Sequence, residues 1–129
     1  QVAVVQQMTR DLNIPVEIIA CPIIREADGL AKSSRNSYLN PAERQAALVL
    51  SHALKLAQEQ LAAGVRNSQA LIQAMTAEIA SEPLAKIDYI EIVNQETLQK
   101  VDTIDSAILV PIAVYIGKTR LIDNFYWGE

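Results

Sequence analysis

Arg25, Lys32 and Arg35 bring three cations into one short stretch, and Ser33 and Ser34 set two hydroxyls between the last two. A polyphosphate needs donors from several directions and charge that need not be deprotonated to fit. Arginine is always charged and offers a planar fork of donors. Serine adds rotatable hydroxyl donors, and the backbone N–H groups of a tight loop can form an anion nest. Ser33-Ser34-Arg35 supplies all three kinds, and Lys32 adds a mobile point charge. Asp28-Gly29 is a turn signal just upstream. The bland alternative is a solvated loop whose serines cap a helix, and composition alone does not displace it.

The rest of the chain must position that loop, and its composition limits what it can be. Half of the 129 residues are hydrophobic, which argues against disorder. The net charge of −4 excludes the broad basic face on which nucleic-acid binding rests. No apolar run approaches the roughly 20 residues of a membrane span, and no secretory signal opens the chain. One cysteine, Cys21, excludes an internal disulfide and suits a reducing, cytoplasmic setting. With a single histidine beside it, no structural zinc site is expected.

Val4, Val5, Met8 and Leu12 recur at helical spacing, so residues 2–12 read as an amphipathic helix, with Asn13 as a left-handed stop. Residues 14–20 read as a short buried strand, closed by Cys21-Pro22. A helix feeding a buried strand is half of a βαβ unit. Residues 1–25 are therefore expected to be the end of a larger doubly wound domain. Asn40-Pro41-Ala42-Glu43 then combines an N-cap, a first-turn proline and a capping-box glutamate. Ala47, Leu50, Leu54, Ala57 and Leu61 continue it as one helical face, with Gly64 at the C-terminal cap. A second helix is expected over 68–81, buried through Leu71, Met75 and Ile79 and blocked by Pro83. Strands are expected over 87–93, 107–115 and 121–126, with a hairpin turn at 117–119. Pro111 suggests a bulge or an edge position. The fold class is α/β: a helix–strand end of one domain, then a small α+β domain over 26–129 with two helices and about three antiparallel strands.

The blocks "PIIREADGLAKSSRNSYLNPAER", "IDYIEIVNQETLQKVD" and "AILVPIAVYIGKTRLIDN" resemble the carboxy-terminal half of the pantoate–β-alanine ligase family. The resemblance covers essentially the whole chain. It implies that residues 1–25 close a Rossmann-like domain of the nucleotidyltransferase superfamily and that 26–129 form its lid. It further implies a two-step reaction: ATP and pantoate give pantoyl adenylate and pyrophosphate with Mg²⁺, and the amine of β-alanine then gives pantothenate and AMP. Ser33, Ser34 and Arg35 match the family's ATP phosphate-binding positions, with Arg35 the candidate for transition-state stabilisation. Ile24 matches an apolar position whose backbone lies by the adenine. Lys32 belongs to the same ATP-contacting loop, where the family usually has Met or Leu. Its methylene stem can cover a base while its ammonium reaches outward, or its charge can help hold pyrophosphate. Gln1 matches a glutamine whose amide binds pantoate.

The family's paired-histidine motif and its Gly-Glu-Lys-Asp segment are not in this chain. The resemblance thus implies one half of an active site, inactive alone, that works with an amino-terminal half and is homodimeric when intact. His52 is no substitute, because it falls about 200° around its helix from Leu50 and should face water. Cys21 reads as a packed thiol rather than a nucleophile. Asp88 and Glu91 fall on opposite strand faces and do not make a carboxylate pair. Asp123, Asn124, Tyr126 and Trp127 divide by alternation between core and surface rather than forming a carbohydrate site. The competing function class is a stand-alone α+β module that shows Ser33–Arg35 to a phosphate-bearing partner without chemistry.

Overall fold

The computed structural model describes residues 1–128. The first element, α1 (Val2–Asp11), ends with Asn13 at φ 50°, the left-handed stop its side chain tolerates. The apolar stripe is present but unburied: Val4 is 58% and Leu12 65% exposed. Residues 14–20 correct the expectation of a buried strand. They form no ladder with any described strand; Val16 N instead turns back to Ile14 O at 2.8 Å, and Ile14, Val16 and Ile19 are exposed. A parallel strand is defined only by its neighbours, and none occurs among the described residues. Cys21 shares that fate and is exposed rather than packed.

The second part closes on a real core. α2 (Pro41–Ala46) carries the expected capping box, with Asn40 Oδ1 accepting from Glu43 N at 2.9 Å and Glu43 Oε2 accepting from Asn40 N at 3.0 Å. The single helix expected onward to Gly64 is broken at Ala47, where α3 (Leu48–Ala62) takes over. No Gly or Pro marks the break. It coincides with five consecutive buried residues, 46–50, where the chain turns from the loop onto the sheet. The predicted face of α3 is buried throughout, and Gly64 takes φ +95° just past its end. α4 (Ser68–Ala80), capped by Asn67 Oδ1 accepting from Ala70 N, buries Leu71, Met75 and Ile79 completely.

The sheet is antiparallel and three strands wide. β3 (Ile108–Ile116) is central and pairs along its length with β4 (Thr119–Trp127). On its other side β1 (Ala85–Ile90) and β2 (Val93–Asn94) follow one another. Pro111 therefore sits in the middle strand, not at an edge, and β3 itself has no bulge. The Pro111 carbonyl accepts from Glu91 N, so its missing N–H faces Glu91 at the gap between β1 and β2, and the ladder forgoes one bond there. The irregularity lies in β1 instead, with a register shift between Ile87 and Tyr89. α3 and α4 cover one face through Leu50, Leu54, Leu61, Leu71, Met75 and Ile79, which meet Ile108, Val110, Ile112, Val114 and Ile116. No described helix is long and apolar enough to cross a membrane.

Candidate functional site: a cationic cleft between the loop and strand β4

The loop is held from below by a small hairpin. Lys32 N donates to Ile24 O and Glu26 N to Leu30 O, both at 2.8 Å, so residues 24–32 double back around Asp28-Gly29. Gly29 takes φ +95° at the turn. Leu30, 3% exposed, plugs the hairpin into the core. Two ion pairs pin it from the sides. Arg25 donates through both Nη atoms to Asp123 at 2.7 and 3.0 Å and also to Gly29 O at 3.1 Å. The Asp123 side chain is only 2% exposed, and its hydrogen bond holds the Arg25 pKa above the ordinary value, against the opposing effect of burial. Arg44 of α2 reaches Asp28 at 2.8 Å. Arg25, the first of the three sequence cations, is thus a structural clamp on β4 and is not free to meet a ligand.

Beyond the hairpin the chain forms a 3₁₀ turn, Ser34–Tyr38, capped by Ser33 Oγ accepting from Arg35 N at 3.2 Å. Asn36 Nδ2 donates to Ala31 O at 3.1 Å and ties the turn back to the hairpin. Lys32, Ser33, Ser34 and Arg35 are exposed, and neither Lys32 nor Arg35 has an ion-pair partner among the described residues. The serine cap of the bland reading is therefore real, yet the cations beside it are uncommitted.

A cleft of about 250 Å³ opens between this loop and β4. Its floor is apolar, with Ile23, Leu30, Ala31 and Ile122; Lys32, Ser33, Arg35 and Arg120 bring charge and hydroxyl, and Asn124 adds an amide. An apolar floor beside cations and a hydroxyl suits a flat base joined to a phosphate chain. Of the residues expected from sequence, Lys32, Ser33 and Arg35 converge here. Ser34 and Ile24 do not line the cleft, although the Ile24 carbonyl anchors Lys32. Gln1 starts α1 without a side-chain cap and lies outside the cleft lining. His52 is exposed on α3, as expected. Arg120 and Ile122 are additions. Alternation along β4 puts 120, 122 and 124 on one face, but only tertiary structure reveals that this face meets the loop.

A family model described as pantoate-beta-alanine ligase matches residues 1–126. The chain belongs to this family. It is 61% identical over 125 residues to the pantothenate synthetase of Clostridium botulinum, a match spanning 97% of this chain and 44% of that protein. Its fold superposes on the pantothenate synthetase of Thermus thermophilus with a TM-score of 0.88 at 37% identity, over 96% of this chain and 45% of the other. The Francisella tularensis pantoate-beta-alanine ligase, complexed with beta-gamma ATP and beta-alanine, matches at 31% identity and a TM-score of 0.57, over 97% and 39%. The chain thus spans less than half the length of these pantoate–β-alanine ligases.

Proposed function

We propose that this chain is the carboxy-terminal part of an ATP-dependent ligase that joins pantoate to β-alanine through pantoyl adenylate. In this reading residues 1–25 end the nucleotide-binding domain and 26–129 are its lid. The observation that carries it is the convergence of Lys32, Ser33 and Arg35 on one cleft with an apolar floor, in a chain of this family. A pantoate carboxylate oxygen attacks the α-phosphorus, the bond to the α,β-bridging oxygen breaks, and pyrophosphate leaves. The amine of β-alanine then attacks the acyl carbon, losing a proton as AMP departs. The chain's part is electrostatic. Arg35 meets the charge that grows on the leaving pyrophosphate, Ser33 and Ser34 donate to phosphate oxygens, and the Lys32 stem lies along the apolar floor. Ile24 and Gln1 face the base and pantoate once the other half of the site is in place. Histidine chemistry belongs to that half. The homodimer and the cytoplasmic setting belong to the same reading and rest on the resemblance.

Magnesium does not fit this chain's own donors. No cluster of three His, Cys, Asp or Glu residues able to hold a metal occurs among the described residues. The cleft's one buried carboxylate, Asp123, is consumed by Arg25. We assign no step to the ion here.

The test uses the full-length ligase and pyrophosphate release from ATP and pantoate without β-alanine. Arg35→Ala is expected to cut the rate by roughly 10²- to 10³-fold, the usual loss for one donor acting in the transition state. Lys32→Met should stay within a few-fold. Near-normal release by Arg35→Ala alongside collapse of Lys32→Met would overturn this assignment of the loop.

A further inference from the structure

The register shift in β1 has a counterpart across the sheet. Pairing with β3 runs regularly from Ala85 to Ile87 and resumes at Tyr89 one residue out of step. In an unbroken strand, neighbours 88 and 89 point to opposite faces. Here both meet one guanidinium. Asp88 Oδ2 accepts from Arg120 Nε at 2.9 Å and lies 2.8 Å from Nη2. The Arg120 guanidinium carbon also sits 5.8 Å from the centre of the Tyr89 ring. Arg120 is on β4, with Tyr115 of β3 between it and β1. A bulge that re-aims a side chain is a device found at barrel rims and beside active sites.

The hold on Arg120 is firm on one edge only. Nε and Nη2 share Asp88, while Nη1 has no hydrogen-bond partner among the described residues. Arg120 lines the same cleft as Lys32, Ser33 and Arg35. A carboxylate and an aromatic ring orient the guanidinium, and because the pair is partly exposed that orientation is a bias that lowers the freedom lost on donating to a ligand.

We propose that Arg120 is a third cation of the phosphate site, pre-oriented by the Asp88 bulge and Tyr89 so that its free Nη1 donates to a polyphosphate oxygen in the cleft. The inference rests on reading the cleft as a polyphosphate site, and adds to it a residue from the far end of the chain. Arg120 binds the phosphates before and during reaction, whereas Arg35 acts as pyrophosphate leaves. Its loss in the full-length ligase should therefore raise the KM for ATP more than it lowers kcat. Asp88 is a positioning residue that acts through Arg120.

The deciding experiment titrates this 129-residue chain with sodium pyrophosphate and follows the Arg120 Nε–H and the Ser33–Arg35 amides by NMR. The Arg120 signal should move with the loop amides on one saturation curve. Arg120→Ala should weaken binding about 5- to 10-fold, since a charge-assisted bond is lost at a partly exposed site. Arg120→Lys, which keeps charge and gives up the fork, should weaken it about 2- to 3-fold, and it decides the matter if the alanine variant does not fold. Asp88→Asn should reduce the response of the Arg120 signal. A parallel titration with β-alanine, a carboxylate, should leave that signal in place. No binding by the unmutated chain, a silent Arg120, an affinity for Arg120→Ala within twofold of the original, or an equal response to β-alanine would each overturn the proposal. Failure of pyrophosphate release by the full-length protein would instead remove the ligase reading and leave this titration standing.

Discussion

Residues 1–24 and residues 25–128 are both rich in Val, Ile, Leu and Ala, yet they meet opposite fates. Val4, Met8, Leu12, Val16 and Ile19 lie exposed, while Leu50, Leu61, Leu71, Met75 and Ile112 are fully buried. The difference is not one of composition or propensity. The second region contains both partners of each apolar face: α3 and α4 on one side and the sheet on the other. The first contains one face only. One neighbour is Leu98, held at φ 57° in a turn where Asn94 Oδ1 accepts from the N–H groups of Glu96 and Thr97. Leu98 shares an apolar hollow with Val4, Met8 and Leu12. Hydrophobic spacing specifies a face, and only the presence of a second face turns it into stability.

The most direct way to break this contrast is a pair of truncations in the same chain. Leu71→Ala removes a fully buried side chain and should cost about 2–5 kcal/mol. Met8→Ala, 46% exposed at the start, should stay within about 0.5 kcal/mol. Urea unfolding measures both, and equal losses would show that α1 is part of the core after all. A smaller effect probes the clamp at the start of the second region. Asp123→Ala leaves Arg25 without its buried partner. Arg25 is itself about one-third exposed, so the loss should be about 1–3 kcal/mol rather than that of a fully buried pair. The same unfolding experiment should show Arg25→Lys losing less, because charge survives although the fork does not.

The smallest effect sharpens the picture of the hairpin turn. The hydrogen bond from Arg44 holds the Asp28 pKa below the ordinary aspartate value. A depressed carboxylate stabilises fully above its unfolded value near 4, and that contribution fades as pH falls through the lower folded value. Asp28→Asn should therefore lower stability slightly at neutrality, converge with the unmutated chain in acid, and so flatten the acid-side decline below about pH 4. Thermal midpoints across pH 2–7 would show it, and an unchanged acid slope would remove Asp28 from the account.

Most of the secondary structure was legible because its signals are local. The capping box at Asn40, the stripes of α3 and α4 and the stop at Asn13 all lie where spacing places them. The 3₁₀ turn after Ser33 and the break at Ala47 were not, since no residue type announces either. The expected strand at 14–20 failed for a different reason: its pattern is right for a buried strand, but the pairing that makes a strand is non-local. The site divides in the same way. Lys32, Ser33 and Arg35 are neighbours in sequence and could be read together. Arg120 could not, because its place depends on a hairpin register, a bulge in β1 and the docking of the loop on β4. The separate role of Arg25 was not legible from adjacency, because its buried partner lies near the other end of the chain.

Pro111 matters before the chain has folded as well as after. The strand that holds it, ILVPIAVYI, carries no charge and is dense in β-branched residues, the composition of segments that stack into cross-β layers. In the native sheet the missing N–H faces Glu91, and the loss is confined to that one bond. In a stack of identical unfolded chains it would fall at the same level of every layer, leaving one carbonyl unmatched each time. A single ring at position 111 thus favours the intramolecular partner over a second copy of the same strand.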